Sequence, residues 1–449
     1  MNVSNSRGRV VNNLPKLKSS VIFAMTIGML GVTMAFSLQS SMMGRIFQTL
    51  GADPNKLGWF FILPPLAGMI IQPLIGKWSD RTWNRFGRRM PYLLIGGPMA
   101  AIVLVLLPNA GSFGFGFASL VALWFGAIAT LFMDLASNIC MQPYKMIIGD
   151  MVNEDQKDKA WSWQQIFCNV GALISTVLPF ALTAWGVPNT APRGEVPPSV
   201  KIAYYVAAAA VLIFTLWTVF RVHEYNPKDY AKYHGLKLEK NKKSPSLWHL
   251  TKTAPKSFWE VGLTVFFTQF ALLYLWTYTT GAISTNVWHT DNPSSAGYQA
   301  AGNWYGVLYC ILSITGVLYG LILAKSKKTQ RKFWYRFSLF AGGIGFISIY
   351  FIHNKWLLIL SFILIGMANF IASTEPFAIF TESLSGNQGS YLGLFNVLVC
   401  VPQIVASVVS FWIFPLMGKS MPGMLLVGGI ALILAGLFVS TIRSRFSDN

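Results

Sequence analysis

Charge is scarce in this chain. Only 11% of its 449 residues are Asp, Glu, Lys or Arg, less than half of the roughly one quarter usual in soluble domains. Acidic groups are scarcer still, 16 against 35 Lys and Arg. Cysteine is rare too: Cys140, Cys168, Cys310 and Cys400 stand far apart in apolar stretches, with no CxxC spacing. They read as small packing residues rather than a disulfide framework or a thiolate metal site. The histidines His223, His234, His249, His289 and His353 fall in polar connections or at the ends of apolar stretches. There is no HExxH pair and no phosphate-binding glycine loop. These absences count against an intramembrane metalloenzyme and an ATP-driven pump, and no metal or cofactor is expected.

What the chain does have is apolar residues, 53% of the total, gathered in runs long enough to span about 30 Å of hydrocarbon. Such runs place helices near 20–46, 58–77, 91–108, 115–149, 160–186, 202–221, 258–284, 301–324, 334–352, 356–382, 390–416 and 423–442. The expected fold class is all-α and integral to a membrane, with twelve transmembrane helices and both termini on one side. The net charge of +19 does not call for nucleic acid. With the termini inside, 28 of the 35 Lys and Arg fall in the tails and inner loops, six fall outside (Arg45, Lys56, Arg193, Lys201, Lys355 and Lys419), and Lys145 lies within a helix. The positive-inside rule explains that asymmetry and makes the termini cytoplasmic. Membrane lipids of negative charge are the expected partners of the basic loops. Residues 1–19 are polar and basic, and the first span is too long for a signal-peptide core, so it is expected to be retained.

The longest polar segment separates six spans from six. It gives a cytoplasmic tail 1–19, a six-helix bundle 20–221, a basic linker 222–257, a second bundle 258–442 and a tail 443–449. The halves echo each other: Gln142-Pro143-Tyr144 with Asp150 in the fourth span corresponds to Glu375-Pro376-Phe377 with Glu382 in the tenth. Asn169 and Asn396 follow in the next helix of each half. Repeated six-helix halves with a site at their interface belong to rocking transporters.

Asp134 stands in the middle of the fourth span, where a charged side chain costs roughly 2.5 to 3.5 kcal/mol on insertion scales. Carboxylates so placed face protein or a water-filled path and often relay protons; loss of hydration favours the neutral form of such a group. At roughly 100° per residue, Asp134, Asn138, Gln142 and Lys145 fall on one stripe of the helix. Asp134 and Lys145 are about 16 Å apart along the axis, too far to pair within the helix, so they have different tasks. Lys145 either binds substrate or snorkels to the nearby surface, and Asp134 either carries a proton or makes a structural hydrogen bond. Glu375, between Thr374 and Pro376 where backbone bonding is interrupted, suits binding or gating. Gln39, Gln72, Asn396 and Gln403 add amides for a hydroxyl-rich solute. Among the aromatics, Trp276 stands out with Phe36, Trp161, Trp163, Tyr274, Tyr278 and Trp304 as faces on which a sugar ring would stack, although interfacial belts account for several of them equally well.

The loop 76–89 reads Gly-Lys-Trp-Ser-Asp-Arg-Thr-Trp-Asn-Arg-Phe-Gly-Arg-Arg. It resembles the Gly-x-x-x-Asp-Arg-x-Gly-Arg-Arg signature of the major facilitator superfamily with one or two extra residues, which implies that fold and a gating latch of Asp80, Arg81, Gly87, Arg88 and Arg89. Ile71-Gln72-Pro73, Asp134-Leu135-Ala136-Ser137-Asn138 with Pro143 and Asp150, and Gly393-Leu394-Phe395-Asn396 with Pro402-Gln403 resemble the glycoside-proton symporters. These are the plant-type sucrose transporters and their bacterial and animal relatives in solute carrier family 45. The resemblance implies proton acceptance by Asp134 and a role for Lys145 in sugar binding and coupling. The family's usual basic residue is arginine; Lys145 offers a point charge instead of a fork. The histidine that plant members carry after the first span is missing from 50–58, and Ala282-Ile283 replaces their Arg-Glu pair, which leaves the identity of the sugar open.

The expectation is a non-enzymatic, monomeric symporter importing an α-linked disaccharide, sucrose or maltose, with protons through the cell membrane. The compact loops lean towards a bacterial member. The rivals are a proton-coupled exporter or antiporter of sugars or amphipathic compounds, a sugar sensor, and sodium coupling, for which a lone aspartate is a poor cage.

Overall fold

In lipid each apolar run has to satisfy its own backbone hydrogen bonds, and a single segment does so as a helix. The computed structural model of the chain is accordingly almost wholly helical. It describes residues 14–113, 117–233, 254, 256–323, 330–383 and 388–442; the side chains at 72, 73, 76, 77, 80, 81, 154, 158, 231, 257, 377, 378, 380–383 and 388–393 lie outside the description.

The first span is α1 (Ser19–Thr26) and α2 (Gly28–Thr49), joined at Ile27. It is followed by α3 (Leu57–Arg81), α4 (Met90–Leu106), α5 (Leu120–Met151), α6 (Glu154–Ala184) and α7 (Pro198–Arg221). A short helix, α8 (Pro227–Tyr233), opens the linker, whose residues 234–253 fall outside the described set. The second half is α9 (Lys256–Trp288), α10 (Ala296–Leu323), α11 (Arg331–Phe351), α12 (Leu358–Ser383), α13 (Gln388–Leu416) and α14 (Met421–Phe438). Among the described residues ten helical stretches are long and apolar enough to cross a membrane. Helices α3 and α11 complete the twelve; α11 is less apolar because it opens on Arg331, Lys332 and Arg336. An even number of crossings returns residue 442 to the side of residue 14, called the near side below.

The ends follow local chemistry. The fourth span begins at Leu120 rather than near 115 because Ser119 caps it, its Oγ accepting from the Ala122 N–H at 3.2 Å. The third span tightens into a 3-10 turn over Leu107–Phe113. Pro143 and Pro376, the prolines of the internal echo, both lie inside helices, α5 and α12.

Within the first half α2 packs on α6 and α7, and α4 on α5 and α7; within the second, α14 packs on α9 and α11, and α12 on α10 and α11. The halves meet through α3 with α13, α6 with α10, and α2 with α9. Gly44 allows the last of these: a Cβ there would come within 2.7 Å of the Thr277 carbonyl oxygen. Among the described residues, the side chains that bridge the halves lie from mid-membrane to the far side, from Asn396 on Gly68 to Trp59 against Phe411.

One reading from sequence needs correction. Arg45, counted with the far-side cations, lies inside α2 at 1% exposure, because α10 covers the last turns of that helix. Gln48 close by is also fully buried, and among the described residues neither its side-chain oxygen nor its nitrogen has a hydrogen-bond partner.

Candidate functional site

Helix α5 carries the most unusual group to the centre of the molecule. Asp134 is 6% exposed, and the predicted stripe holds at its first step: Asn138, one turn on, donates through Nδ2 to Asp134 Oδ2 at 2.8 Å. The same amide bonds the Asp134 carbonyl at 2.9 Å, which locks its orientation. Gln39 from α2 reaches the carboxylate as well, while its own Oε1 is buried with no partner. Among the described residues no cation lies within ion-pair reach of Asp134.

The second half closes in from the other side. A Cβ added to Gly68 of α3 would lie 3.8 Å from both Asp134 Oδ2 and Cys400 Sγ of α13. Asn396 donates to the Gly68 carbonyl at 3.2 Å, and Gln403 donates to Gln269 Oε1 at 2.9 Å. Between these helices is a cavity of about 240 Å³, a little under the roughly 300–1,000 Å³ usual for small-molecule sites. Gln39, Asp134, Asn138, Trp276, Asn396 and Gln403 all line it. Its apolar walls include Phe36, Phe61, Pro64 and Pro65. Sequence reasoning singled out Phe36 alone of these four; a Pro-Pro pair inside a span was the signal for the others. The cavity therefore offers amides and one carboxylate on one hand and flat apolar faces on the other, the two surfaces that a sugar ring presents in complement.

Other candidates lie elsewhere. Lys145 is exposed on α5 towards the near side, within electrostatic reach of Cys168, and neither it nor Gln142 lines the cavity. Glu375 pairs with Arg331 of α11 at 2.5 Å. The side chains of Gln72, Asp80 and Arg81 lie outside the description. Tyr274 and Tyr278 are packed in the core, Trp304 donates to the Lys355 carbonyl, and Trp161 is exposed. Trp163 faces a separate surface groove of about 510 Å³.

Near the near-side surface, Gly87 turns the chain at φ +109°, and Arg88 and Arg89 converge on Asp150 at the end of α5, at 2.7 and 2.9 Å. Arg89 also bonds Ser79. Two partners from beyond α7 were not foreseen. The Glu224 carboxylate accepts the backbone N–H groups of Arg88, Arg89 and Met90 at 3.0, 2.7 and 2.9 Å, and so caps α4 from outside. Burial holds this carboxyl above the usual range, against the pull of those three donors. Tyr230 of α8 lies under the Arg88 guanidinium, 4.4 Å from it, and donates to Asp150 Oδ1 at 3.2 Å. Its phenol is raised by burial. The glutamate and tyrosine just past the sixth span were the available signal.

Comparison with known proteins places this geometry. A family model described as Major Facilitator Superfamily matches residues 25–407. The Sucrose transport protein SUC4 of Arabidopsis thaliana is 24% identical over 96% of this chain and 93% of its own length. The General alpha-glucoside permease of Schizosaccharomyces pombe is 29% identical over 37% of this chain and 32% of its own. Of solved structures, the nucleoside transporter NupG superposes with a TM-score of 0.67 at 13% identity, covering 95% of this chain and 99% of that one. The D-xylose-proton symporter superposes with a TM-score of 0.65 at 16% identity, covering 94% and 96%. At those identities the superpositions speak for the fold. Twelve spans in two halves, a polar cavity between them and a family match along most of the sequence lead to one conclusion: the chain belongs to the Major Facilitator Superfamily, as a multi-pass membrane transporter and not an enzyme.

Proposed function

We propose that the protein imports an α-linked disaccharide of the sucrose or maltose class by proton symport, through alternating access of the bundles 20–221 and 258–442 about the linker 222–257. The observation that carries this reading is Asp134: a buried carboxylate with no cation in ion-pair reach among the described residues, oriented by Asn138 at the wall of the cavity between the halves. A group in that position is suited to take a proton from one side and give it to the other. The near side is the cytoplasm of a cell bounded by this membrane, as the distribution of Lys and Arg suggests. Amides of Gln39, Asn138, Asn396 and Gln403 bond sugar hydroxyls, and Trp276 stacks on the ring. Gln142 and Lys145 lie on the exit path towards the near side, where the lysine assists release. The names of the sucrose and α-glucoside relatives support the sugar class. Asp80, Arg81, Gly87, Arg88 and Arg89 form the latch, and one chain suffices because the cavity is complete within it.

Protonation need only bias which of two states is favoured. The test is external pH in lightly buffered cells or proteoliposomes, with sucrose, maltose, lactose and glucose added in turn. Alkalinisation with one disaccharide, absent in Asp134→Asn, is expected. No pH change with any sugar, despite folded protein in the membrane, would sink coupled import; proton movement opposite to the sugar would establish an exporter.

A further inference from the structure

A buried cation ties the far ends of the halves. Arg45 of α2 donates through Nε to Gln299 Oε1 at 2.7 Å and through Nη1 to Asn303 Oδ1 at 2.7 Å, both on α10 of the other half. Its Nη2 donates to Asn189 Oδ1, in the connection between α6 and α7, at 2.8 Å. The amides are held in turn. Gln299 Nε2 bonds Thr49 Oγ1 at 3.0 Å and the Pro293 carbonyl at 2.6 Å, Asn303 Nδ2 bonds Thr183 Oγ1 at 2.8 Å, and Ser199 Oγ bonds Asn189 Oδ1 at 2.8 Å. Among the described residues no carboxylate lies within ion-pair reach of Arg45. The seat itself depends on Gly302, where a Cβ would stand 2.4 Å from Arg45 Cδ and 2.6 Å from Nε.

A guanidinium buried with no counter-ion is tolerable only where its forked donors are met at several points. Here three side-chain amide oxygens from two elements meet them, and two belong to the opposite half. Neutral partners suit a contact that is made and broken repeatedly, since water replaces an amide at small net free energy, whereas separating an ion pair also gives up the attraction between its two charges.

We propose that Arg45 is the pin of the far-side gate: closing seats its guanidinium on Gln299, Asn303 and Asn189, and opening withdraws α10 and lets water or solute hydroxyls take the vacated donors. This rests on the alternating-access reading above. Cys400 is the natural reporter. It is 6% exposed, lines the central cavity, and lies behind the gate as seen from the far side.

The experiment uses the full chain with Cys140, Cys168 and Cys310 changed to Ala, in sealed vesicles sorted by access to a C-terminal tag. A membrane-impermeant maleimide is applied only at the face opposite the termini, and Cys400→Ala gives the background. Arg45→Ala and Gly302→Ala are expected to speed labelling of Cys400 by about tenfold or more, the equivalent of one or more hydrogen bonds to a charged group. Arg45→Lys is expected to do so as well, because one ammonium does not span three oxygens. Labelling at the parent rate in both Gly302→Ala and the double variant Gln299→Ala, Asn303→Ala, with unchanged thermal midpoints, overturns the pin; these two decide even where Arg45→Ala does not fold. Sugar flux in the parent with labelling independent of Arg45 sinks the gate alone. Labelling that depends on Arg45 in a chain with no sugar flux upholds the gate and sinks the transport reading.

Discussion

The two ends of the molecule are held by different chemistry. At the far end the described side-chain to side-chain hydrogen bonds that cross between the halves join Arg45, Thr49 and Thr183 of the first to neutral amides of the second, Gln299 and Asn303. At the near end the described ion pairs stay within a half: Arg88 and Arg89 with Asp150 in the first, Arg331 with Glu375 in the second. Strong charge pairs thus stiffen each bundle as a body, and weaker, water-replaceable contacts sit where the bundles separate. The latch at Arg88 and Arg89 would then act within the first bundle, on the near ends of its own helices, and none of these described ion pairs joins the two bundles.

The largest effect that tests this division is expected from Asp150→Ala. It removes the Asp150 carboxylate from Arg88 and Arg89, both largely buried, and loss of one partner of a buried pair costs about 3 to 5 kcal/mol. A lower thermal midpoint in detergent is expected, with far-side labelling of Cys400 unchanged; faster labelling would show that the near-end pairs govern the far gate after all. Between the two ends, Asp134→Asn is expected to abolish accumulation while leaving sugar exchange. One coupled charge supports roughly 50-fold accumulation per 100 mV, and the variant should fall to equal concentrations on both sides. Persistent uphill uptake would remove Asp134 from the coupling step. Next in size, Gln39→Ala should raise the half-saturating sugar concentration roughly two- to twelvefold, the worth of one hydrogen bond. Glu375→Gln should leave it nearly unchanged if Glu375 serves its own bundle through Arg331. A large rise for Glu375→Gln would bring that carboxylate back to the substrate.

The smallest expected effect concerns Glu224. Burial raises its carboxyl above the usual glutamate range, so the folded state holds its proton more firmly than the unfolded chain does. The stability from this group is fully present below the unfolded value and is lost as pH rises through the folded one. The thermal midpoint of the parent minus that of Glu224→Gln should therefore fall over that window and then level. A difference that grows with pH would mean that the three N–H donors outweigh burial.

How much of this was legible in the sequence depended on range. Apolar runs marked the spans because lipid leaves the backbone no other partners, and helical periodicity put Asn138 beside Asp134. Arg45 looked like a loop-end cation because nothing local says that α10 will cover the last turns of α2. Glu375 looked like a cavity residue because its partner opens a different helix. Phe61 and the two prolines after it entered the cavity through the packing of α3 between α5 and α13, which a single helix does not encode. Contacts within one helix were readable, and contacts between helices were readable only where a motif had recorded them.

Gln48 gives the closed far end a second character. Both polar ends of its amide are buried without partners among the described residues, and each such group weakens the state that buries it by about 1 to 3 kcal/mol. The pin at Arg45 and the frustrated amide at Gln48 pull in opposite directions from neighbouring turns of α2. In the proposed cycle the shut gate is then a shallow basin, one that a single bound proton or docked ring would suffice to tip.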